Sequence, residues 1–306
     1  MTGDPTLPFV PPTPAEVARD LAPLEGADES SVLRFAPSPN GPLHPGHAYS
    51  ALLNRRLADM SGARMLVRIE DLDRARCTRE LERAMLADLA SIGVESDGPL
   101  MRQSERAPAY CDALASLRER GLVYPAFLTR GQLRREVEDW EQAHGEAWPR
   151  GPDGVPHYPA CDRERPRGEA EARVNAGEAH AWRLDTTRAL ASLDGSAPDD
   201  ATLWGDPVLW RVDNSASYHL AVVVDDAAQG VTHVVRGADL AAATSVHRLL
   251  QRLLELPEPR MRHHALVRGA DGAKLSKSRG DAGLSDWTGK GGDLATLLGL
   301  PAEKRK

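Results

Sequence analysis

Between Ser31 and Ile92 the sequence alternates twice between a short strand pattern and a longer helix pattern. The strand patterns are the apolar runs Ser31–Phe35 and Arg64–Ile69, and the helix patterns cover about His47–Met60 and Arg79–Ile92. Strands that alternate with helices in this way favour a parallel sheet with helices on its faces. The sequence therefore predicts an α/β fold, a doubly wound parallel sheet of the Rossmann type.

The later part of the chain returns to this pattern after an irregular interval. Residues 123–190 are rich in Pro, Gly, Arg and Glu with little apolar periodicity, which predicts an inserted α+β subdomain. Strands are predicted at Ser217–Val224, Thr232–Val235 and His264–Arg268, and a helix at about Leu240–Leu254. We expect four segments: a flexible N-terminal tail with at most a short helix at Pro14–Leu21 (1–30), a first half of the sheet domain (31–122), the insertion (123–190), and a second half with a short C-terminal segment (191–306).

The formal net charge of −7 argues against a surface that binds nucleic acid all over. A local basic groove is still compatible with that charge, although a solvated face is the simpler explanation of each charge alone. The arginines that crowd one stretch are Arg118, Arg120, Arg130, Arg134 and Arg135.

The cysteine pattern and the hydropathy bear on where such a chain works. Cys77, Cys111 and Cys161 form no C-x-x-C pair, which fits a reducing compartment better than a disulfide framework. No apolar run is long enough to span a membrane, and the N-terminus lacks the basic and apolar regions of a signal peptide. We expect a cytoplasmic monomer that does not contact a membrane.

The segment Arg34–His47 is the first whose residues suggest a binding or catalytic role. It predicts a strand, a tight Pro/Gly turn, and then a helix whose N-terminus opens beside His44 and His47. Free N–H groups and the helix dipole at such a terminus favour phosphate, and Gly46 would let a base or ribose approach the backbone. Taken alone, the motif is more simply a turn with two surface histidines.

The second such segment is Lys274–Ser278, with the sequence KLSKS, in a Gly-rich polar loop that spans Gly269–Gly280. Two lysines beside small hydroxyl residues suit a loop that grips and releases a triphosphate. Taken alone, this run is more simply a solvated charge cluster. Together, the two motifs follow strands in the two halves of a doubly wound sheet, which is where such sheets bind ligands.

The two motifs, HPGH and KLSKS, resemble the two signatures of class I aminoacyl-tRNA synthetases. The finer resemblance is to the glutamyl branch, and it covers about residues 31 to 280. It is carried by four segments: Arg34–Pro39 (RFAPSP), Arg68–Asp73 (RIEDLD), Tyr218–Asp226 (YHLAVVVDD) and Gly230–Leu240 (GVTHVVRGADL).

The resemblance implies a pocket for L-glutamate and a site for ATP. Arg34 and Arg236 would face the side-chain carboxylate, and Glu70 would accept from the α-ammonium group. Ala36, Ser38 and Tyr218 would complete the glutamate pocket. The ATP-binding residues implied are His44, Gly46, His47 and Lys277, and the catalytic residues are His44, His47, Lys274 and Lys277.

The reaction implied begins with attack of the glutamate α-carboxylate on the α-phosphorus of ATP, with magnesium on the phosphates. An RNA hydroxyl then attacks the activated acyl group. Residues 279–306, after Ser278, are too few for a folded helical domain, so we expect no anticodon-binding domain. The short C-terminal segment and the sequence of Asp225–Leu240 both resemble the truncated glutamyl-Q tRNA(Asp) synthetase branch. The enzymes of that branch attach glutamate to the queuosine base of tRNA(Asp).

One departure from the family pattern concerns zinc. The family often builds a zinc site from two cysteines one residue apart, followed by Tyr and Cys. Here Ala126 and Leu128 stand at the first two positions, and Tyr158 with Cys161 cannot hold zinc alone. We expect no zinc. Asn40, where the longer enzymes usually have Thr, is a milder departure.

Three alternatives stay open at the level of sequence. The chain could be a glutamyl-tRNA synthetase that charges tRNA(Glu), a glutamyl ligase with a non-RNA acceptor, or a catalytically silent module. Glutamate-dependent pyrophosphate exchange separates an enzyme from a module. Dependence on RNA, and on its queuosine, separates the enzymes.

Overall fold

The structure, a computed structural model, describes residues 9–193, 195, 198–213, 215–273, 275, 284 and 294–301. The chain divides into two compact units. The first comprises Met1–Glu105, Gln229–Ala241 and Pro259–Lys306, and the second comprises Arg106–Ala228 and Ala242–Glu258. The boundaries predicted at 122/123 and 190/191 both fall inside the second unit, and they stay predictions of domain organisation.

The described strands and helices, in chain order, are as follows. The strands are β1 (Phe9–Val10), β2 (Val32–Phe35), β3 (Arg64–Ile69), β4 (Met101–Arg102), β5 (Val123–Ala126), β6 (Ala181–Leu184), β7 (Val208–Trp210), β8 (His233–Gly237), β9 (Arg260–His264) and β10 (Arg268–Gly269). The helices are α1 (Pro14–Asp20), α2 (Pro45–Ser61), α3 (Arg79–Ser91), α4 (Ala107–Glu119), α5 (Arg130–His144), α6 (Arg167–Asn175), α7 (Thr186–Ala191), α8 (Tyr218–Ala228), α9 (Ala243–Leu253) and α10 (Leu294–Leu297).

A five-stranded sheet in the order β4-β3-β2-β8-β9 forms the centre of the first unit, and all of its pairs are parallel. The chain starts at the middle strand, moves outward to β3 and β4, and later returns on the other side as β8 and β9. This is the doubly wound order, so the predicted fold class is confirmed. Its switch point lies between β2 and β8, where such folds bind ligands beyond the carboxyl ends of the strands.

The two faces of this sheet differ in chemistry. One face carries the odd-numbered residues of β2 and β3, such as Leu33, Met65 and Val67, which join buried residues of α2 in the main apolar core. On the other face a small apolar cluster of Val32, Leu66 and Val234 occupies only the amino-terminal half. Arginines follow it toward the carboxyl ends of the same strands.

A helix stands where a strand was predicted. Ser217–Val224 was expected to be a strand, but Tyr218–Ala228 is the helix α8. The prediction was wrong because Leu220, Ala221, Val222 and Val223 are all buried, so the run shows no helical period, and its valines favour a strand by propensity. Ser217 accepts a hydrogen bond from the backbone N–H of Leu220 at 3.4 Å and marks the start of the helix.

The N-terminal segment is packed rather than loose over residues 9–30. Thr13 caps α1 in a reciprocal capping box with Glu16, and Pro14 occupies the first helical turn. At its end Asp20, 1% exposed, accepts from the Tyr49 hydroxyl at 2.9 Å and from the Ala265 N–H at 2.8 Å. Acidic and proline residues thus act as caps and a buried acceptor over residues 13–20, and the short helix predicted at Pro14–Leu21 is present as α1, whereas the flexible tail of residues 1–30 stays a prediction.

The second unit contains a three-stranded antiparallel sheet in the order β5-β6-β7 and the helices α4 to α9. Asp225 of α8 is fully buried and accepts from Arg106 Nε at 3.1 Å and from the Tyr110 hydroxyl at 2.6 Å, which joins α8 to α4. No helix in the described part of the chain is both long enough and apolar enough to cross a membrane.

Candidate active site

The HPGH motif forms the first turn of α2. His44 is the N-cap, and its Nδ1 accepts from the Gly46 N–H at 3.1 Å, while His47 Nδ1 accepts from the His44 N–H at 3.2 Å. Because both Nδ1 atoms accept, each neutral ring carries its proton on Nε2. The two ring centroids lie 3.7 Å apart. The turn thus presents two imidazole N–H donors beside a helix N-terminus, which suits an anionic group.

Gly46 allows the close packing of this turn. A Cβ at position 46 would lie 3.0 Å from His44 Cε1, closer than side-chain carbons normally come. The absence of a side chain therefore lets the His44 ring fold over its own helix start. The prediction that Gly46 lets a nucleotide approach the backbone is a separate matter and stays a prediction.

Three charged residues of the predicted glutamate pocket share the arginine-bearing face of the parallel sheet. Arg34 on β2 is paired with Leu66 on β3, and Leu33 is paired with His233 on β8. Because side chains alternate along a strand, Arg34, Glu70 just after β3, and Arg236 project from the same face. Arg34 is 4% exposed and Arg236 is 5% exposed. Two nearly buried guanidinium groups and a carboxylate thus stand near the switch point of the sheet.

The loop after β2 continues this face. Ala36 follows the strand directly and is half-buried. The Pro37 carbonyl accepts from the Glu70 N–H at 3.0 Å, which ties the two strand ends together. Ser38 Oγ lies 3.5 Å from Cys77 Sγ, and burial raises the pKa of that thiol.

Arg68 stands behind Glu70 and was given no role from the sequence. It is fully buried, with Nη2 3.6 Å from Glu70 Oε1 and Nη1 donating to Gln229 Oε1 at 2.9 Å. A signal for it existed, because residues two apart on a strand share a face and Arg68 precedes Glu70 by two.

Tyr218 belongs to the second unit, where it opens α8. Its ring centroid lies 5.4 Å from that of the buried His247, and His219 Nδ1 lies 3.2 Å from His247 Nε2. The structure thus places Tyr218 in an aromatic cluster of α8 and α9.

The KLSKS motif is described only at Leu275, which is buried in the main core of the first unit. Lys274 and Lys277 lie outside the described residues. The preceding turn is anchored, because β10 pairs antiparallel with β1 and the Gly269 N–H donates to the Ala273 carbonyl at 2.7 Å.

A hydrogen-bonded clasp occupies the positions where the family often binds zinc. The Tyr158 hydroxyl accepts from the Leu128 N–H at 2.9 Å and donates to Asp162, and Asp162 also accepts from the Phe127 N–H at 2.7 Å. Arg165 bonds the other oxygen of Asp162 at 2.8 Å. Backbone groups near Ala126 and Leu128 are therefore held by a tyrosine and a carboxylate. No group of three or more His, Cys, Asp or Glu is placed to hold a metal within the described ranges.

A cleft of about 640 Å³ lies in the second unit. Its lining is rich in arginine around one indole, and Arg118 lies 4.2 Å above the Trp182 ring. The cationic and aromatic residues of the lining are Arg118, Arg163, Arg165, Arg167, Arg188, Tyr124 and Trp182, and three acidic residues, Glu119, Asp162 and Glu171, also line it. Such a lining can pair with phosphates and stack on a base.

A family model described as tRNA synthetases class I (E and Q), catalytic domain, matches residues 31–298. The chain is 43% identical over 286 residues to a glutamyl-Q tRNA(Asp) synthetase of Rhodobacter capsulatus, an alignment that covers 88% of this chain and 100% of that protein. It is 40% identical over 273 residues to one of Nocardia farcinica, with 87% and 82% covered.

The fold is also similar to that of a solved glutamate tRNA ligase of Elizabethkingia meningosepticum in complex with its amino acid. The TM-score is 0.67 at 27% sequence identity, and the match covers 82% of this chain and 52% of that chain. A glutamate-tRNA synthetase of Elizabethkingia anophelis gives a TM-score of 0.68 at the same identity, with 53% of that chain covered. This chain therefore spans about half the length of these two solved proteins.

Proposed function

Because this chain belongs to the catalytic-domain family of the class I tRNA synthetases for E and Q, we propose that it activates L-glutamate with ATP and transfers it to the queuosine base of tRNA(Asp). The observation that carries the proposal is the face shared by Arg34, Glu70 and Arg236. Two buried cations and one carboxylate complement an amino acid with a second carboxylate. The names of the relatives, glutamyl-Q tRNA(Asp) synthetases, support the choice of acceptor.

In this proposal Arg34 and Arg236 bind the side-chain carboxylate and Glu70 accepts from the α-ammonium group. Ala36, Ser38 and Tyr218 complete the pocket. Arg68, fully buried beside Glu70, orients that carboxylate through the ion pair between Arg68 Nη2 and Glu70 Oε1. The sequence assignment of these residues stays a proposal, and so do a cytoplasmic location and a monomeric state.

The first step is attack of a glutamate α-carboxylate oxygen on the α-phosphorus of ATP. A phosphorus–oxygen bond forms, the bond to the β-phosphate bridging oxygen breaks, and pyrophosphate leaves. His44 and His47 donate from Nε2 to the phosphoryl oxygens as they gain charge, together with Lys274 and Lys277. Gly46 forms part of the same ATP site.

In the second step a hydroxyl of the queuosine cyclopentene diol attacks the acyl carbon of the adenylate. An ester forms, AMP leaves, and the hydroxyl proton passes to solvent or to the departing phosphate. Magnesium bound to the phosphates supplies charge neutralisation in the first step.

The RNA part of the proposal is supported by the arginine-lined cleft. The protein is acidic overall, with a formal net charge of −7, so a nucleic acid must dock at a local basic surface. The cleft combines arginines with the Trp182 indole, and these two residue types bind phosphate and stack on bases.

The test is transfer of labelled glutamate to purified tRNA(Asp), with and without queuosine, alongside tRNA(Glu). Label only on the queuosine-containing tRNA(Asp) supports the proposal. Label on tRNA(Glu) would indicate an ordinary synthetase, and glutamate-dependent pyrophosphate exchange without label on RNA would indicate a different acceptor. No exchange at all would indicate a silent module.

A further inference from the structure

His263 is the neighbour of Arg236 across the parallel pair of β8 and β9. Arg236 and His263 are register partners, so their side chains project from the same face of the sheet. Arg236 Nε donates to His263 Nε2 at 3.4 Å, and Arg236 Nη2 donates to the Leu240 carbonyl at 3.0 Å. Two of the acceptors that hold the guanidinium, the His263 nitrogen and the Leu240 carbonyl, are therefore uncharged.

This hydrogen bond fixes the state of the imidazole. Nε2 can accept only when it bears a lone pair, so the neutral ring carries its proton on Nδ1. Burial, the Arg236 cation and His264 lower the pKa of His263 to about 4, against the opposing effect of Asp239. The ring is consequently neutral through the pH range in which the protein would work.

A neutral acceptor has a different consequence from a carboxylate at this position. A carboxylate beside Arg236 would orient the guanidinium but would also neutralise its charge and compete with the carboxylate of a substrate. A neutral nitrogen orients the guanidinium and adds no negative charge beside it. The charge matters most at a residue that is only 5% exposed, where water screens it little.

We propose that His263 is a positioning residue of the amino-acid pocket, whose uncharged imidazole orients Arg236 and keeps the pocket selective for a side-chain carboxylate over an amide. This inference rests on the proposed function. It assigns His263 no contact with the reacting atoms.

The test compares His263→Ala, His263→Gln and His263→Asp in ATP–pyrophosphate exchange with glutamate and with glutamine. His263→Ala should raise the KM for glutamate about tenfold, the effect of one hydrogen bond to a charged group, with kcat and the KM for ATP within about twofold. Gln can offer a neutral oxygen near the position of Nε2, so His263→Gln should recover most of the affinity. His263→Asp should reduce the preference for glutamate over glutamine.

The matched control is His264→Gln. His264 is the next residue on β9 but projects from the other face, where its ring centroid lies 5.4 Å from that of Tyr49. The control should leave the KM for glutamate within about twofold. Thermal unfolding of each variant identifies those that lose the fold, and only folded variants enter the comparison. If His263→Ala does not fold, the comparison is made between His263→Gln and His263→Asp.

A pH profile adds a readout that a merely structural histidine would not give. The KM for glutamate in the wild-type protein should be flat between pH 5.5 and 8, because His263 does not titrate in that range. A rise in KM below pH 6.5 that His263→Gln abolishes would overturn the neutral-acceptor assignment.

The remaining outcomes separate this inference from the function beneath it. Unchanged glutamate KM in folded His263→Ala would overturn the role of His263 and leave the proposed function standing. Absence of both glutamate binding by calorimetry and exchange in the wild-type protein would overturn the proposed function, and this inference with it.

Discussion

At the scale of single residues, the amino-acid pocket depends on charges that are almost entirely removed from water. Arg34, Arg68 and Arg236 are each at most 5% exposed. Buried cations need partners, and the described ones are modest: a carbonyl, an amide oxygen, a neutral imidazole and the Glu70 carboxylate 3.6 Å from Arg68. A carboxylate of a bound ligand would give these guanidinium groups a further charged partner.

Replacing Arg236 by Ala should weaken glutamate binding far more than ATP binding. Loss of a buried charge-assisted pair costs about 1.5 to 3 kcal/mol, so the KM for glutamate should rise roughly 10- to 100-fold. Pyrophosphate exchange measures both constants. Arg64→Ala, at the exposed amino end of β3, is the matched control. An equal loss for glutamate and ATP would point to unfolding instead of a pocket residue.

The same residues show how far sequence reasoning reaches. Arg34, Glu70 and Arg236 were found because each lies in a segment that resembles the glutamyl branch. His263 was not found, because its relation to Arg236 depends on the register of two strands that are 27 positions apart in the chain. No local pattern encodes that register. Lys274 and Lys277 were predicted from the second motif, and they lie outside the described residues.

At the scale of elements, α1 holds two parts of the first unit together through Asp20. The carboxylate bonds Tyr49 on α2 and the backbone just after β9, so it links the helix of the HPGH turn to the strand of His263. This link could not be predicted from the sequence, since an acidic residue near the end of a short helix is usually solvated.

Asp20→Ala should lower the free energy of unfolding by about 2 to 4 kcal/mol, because it leaves the Tyr49 hydroxyl and the Ala265 N–H buried without their acceptor. The measurement is the urea midpoint followed by circular dichroism. Glu25→Ala, whose side chain is 93% exposed and pairs with Arg260, is the control and should change the value by less than about 0.5 kcal/mol. If Asp20→Ala and Glu25→Ala lower the free energy of unfolding equally, Asp20 does not link these parts of the first unit.

The hydrogen-bonded clasp at Asp162 predicts that the stability of the protein falls at acidic pH. Burial opposes ionisation there, but bonds from Tyr158, the Phe127 N–H and Arg165 outweigh it and hold the pKa of Asp162 below its ordinary value. A carboxyl whose pKa is depressed by folding stabilises the protein above the unfolded value near 4, and that stabilisation is lost as the pH falls further.

Asp162→Asn should therefore reduce stability at pH 7 and weaken the fall in stability below about pH 4. Tryptophan fluorescence during urea unfolding at several pH values is a suitable readout, since Trp140, Trp148, Trp182, Trp204 and Trp210 all lie in the second unit. The exposed Asp139 on α5 provides the control substitution Asp139→Asn. If the free energy of unfolding of Asp162→Asn falls below about pH 4 as steeply as that of the wild-type protein, other carboxylates cause the fall.

At the scale of the whole molecule, a predominantly acidic chain carries an arginine-rich cleft in one of its two units. The composition alone suggested only that a local groove was compatible with the charge. Of the arginines noted from the sequence, Arg118 lines the cleft, and the other lining arginines come from the irregular stretch and from α7. They are brought together by folding, so a window along the sequence does not reveal them.

Arg118→Ala should weaken transfer of glutamate to RNA and leave RNA-independent pyrophosphate exchange unchanged. It should also reduce the slope of log affinity against log salt concentration by about 1, because one phosphate contact is lost. Filter binding of tRNA at several salt concentrations measures the slope. Arg130→Ala, an exposed arginine on α5 outside the cleft lining, is the control. Identical slopes for the two variants would exclude the cleft as the docking surface.

The pairing of β1 with β10 also has a consequence for how the chain is made. Phe9 is paired with Gly269, and Asp20 bonds Ala265. Each of these early residues therefore has a partner that is synthesised about 250 residues later. Synthesis proceeds from the N-terminus, and contacts of such long separation form late and slowly. The first unit therefore cannot close until the chain has been made as far as Gly269, and the burial of the apolar Phe9 and Val17 is completed only then.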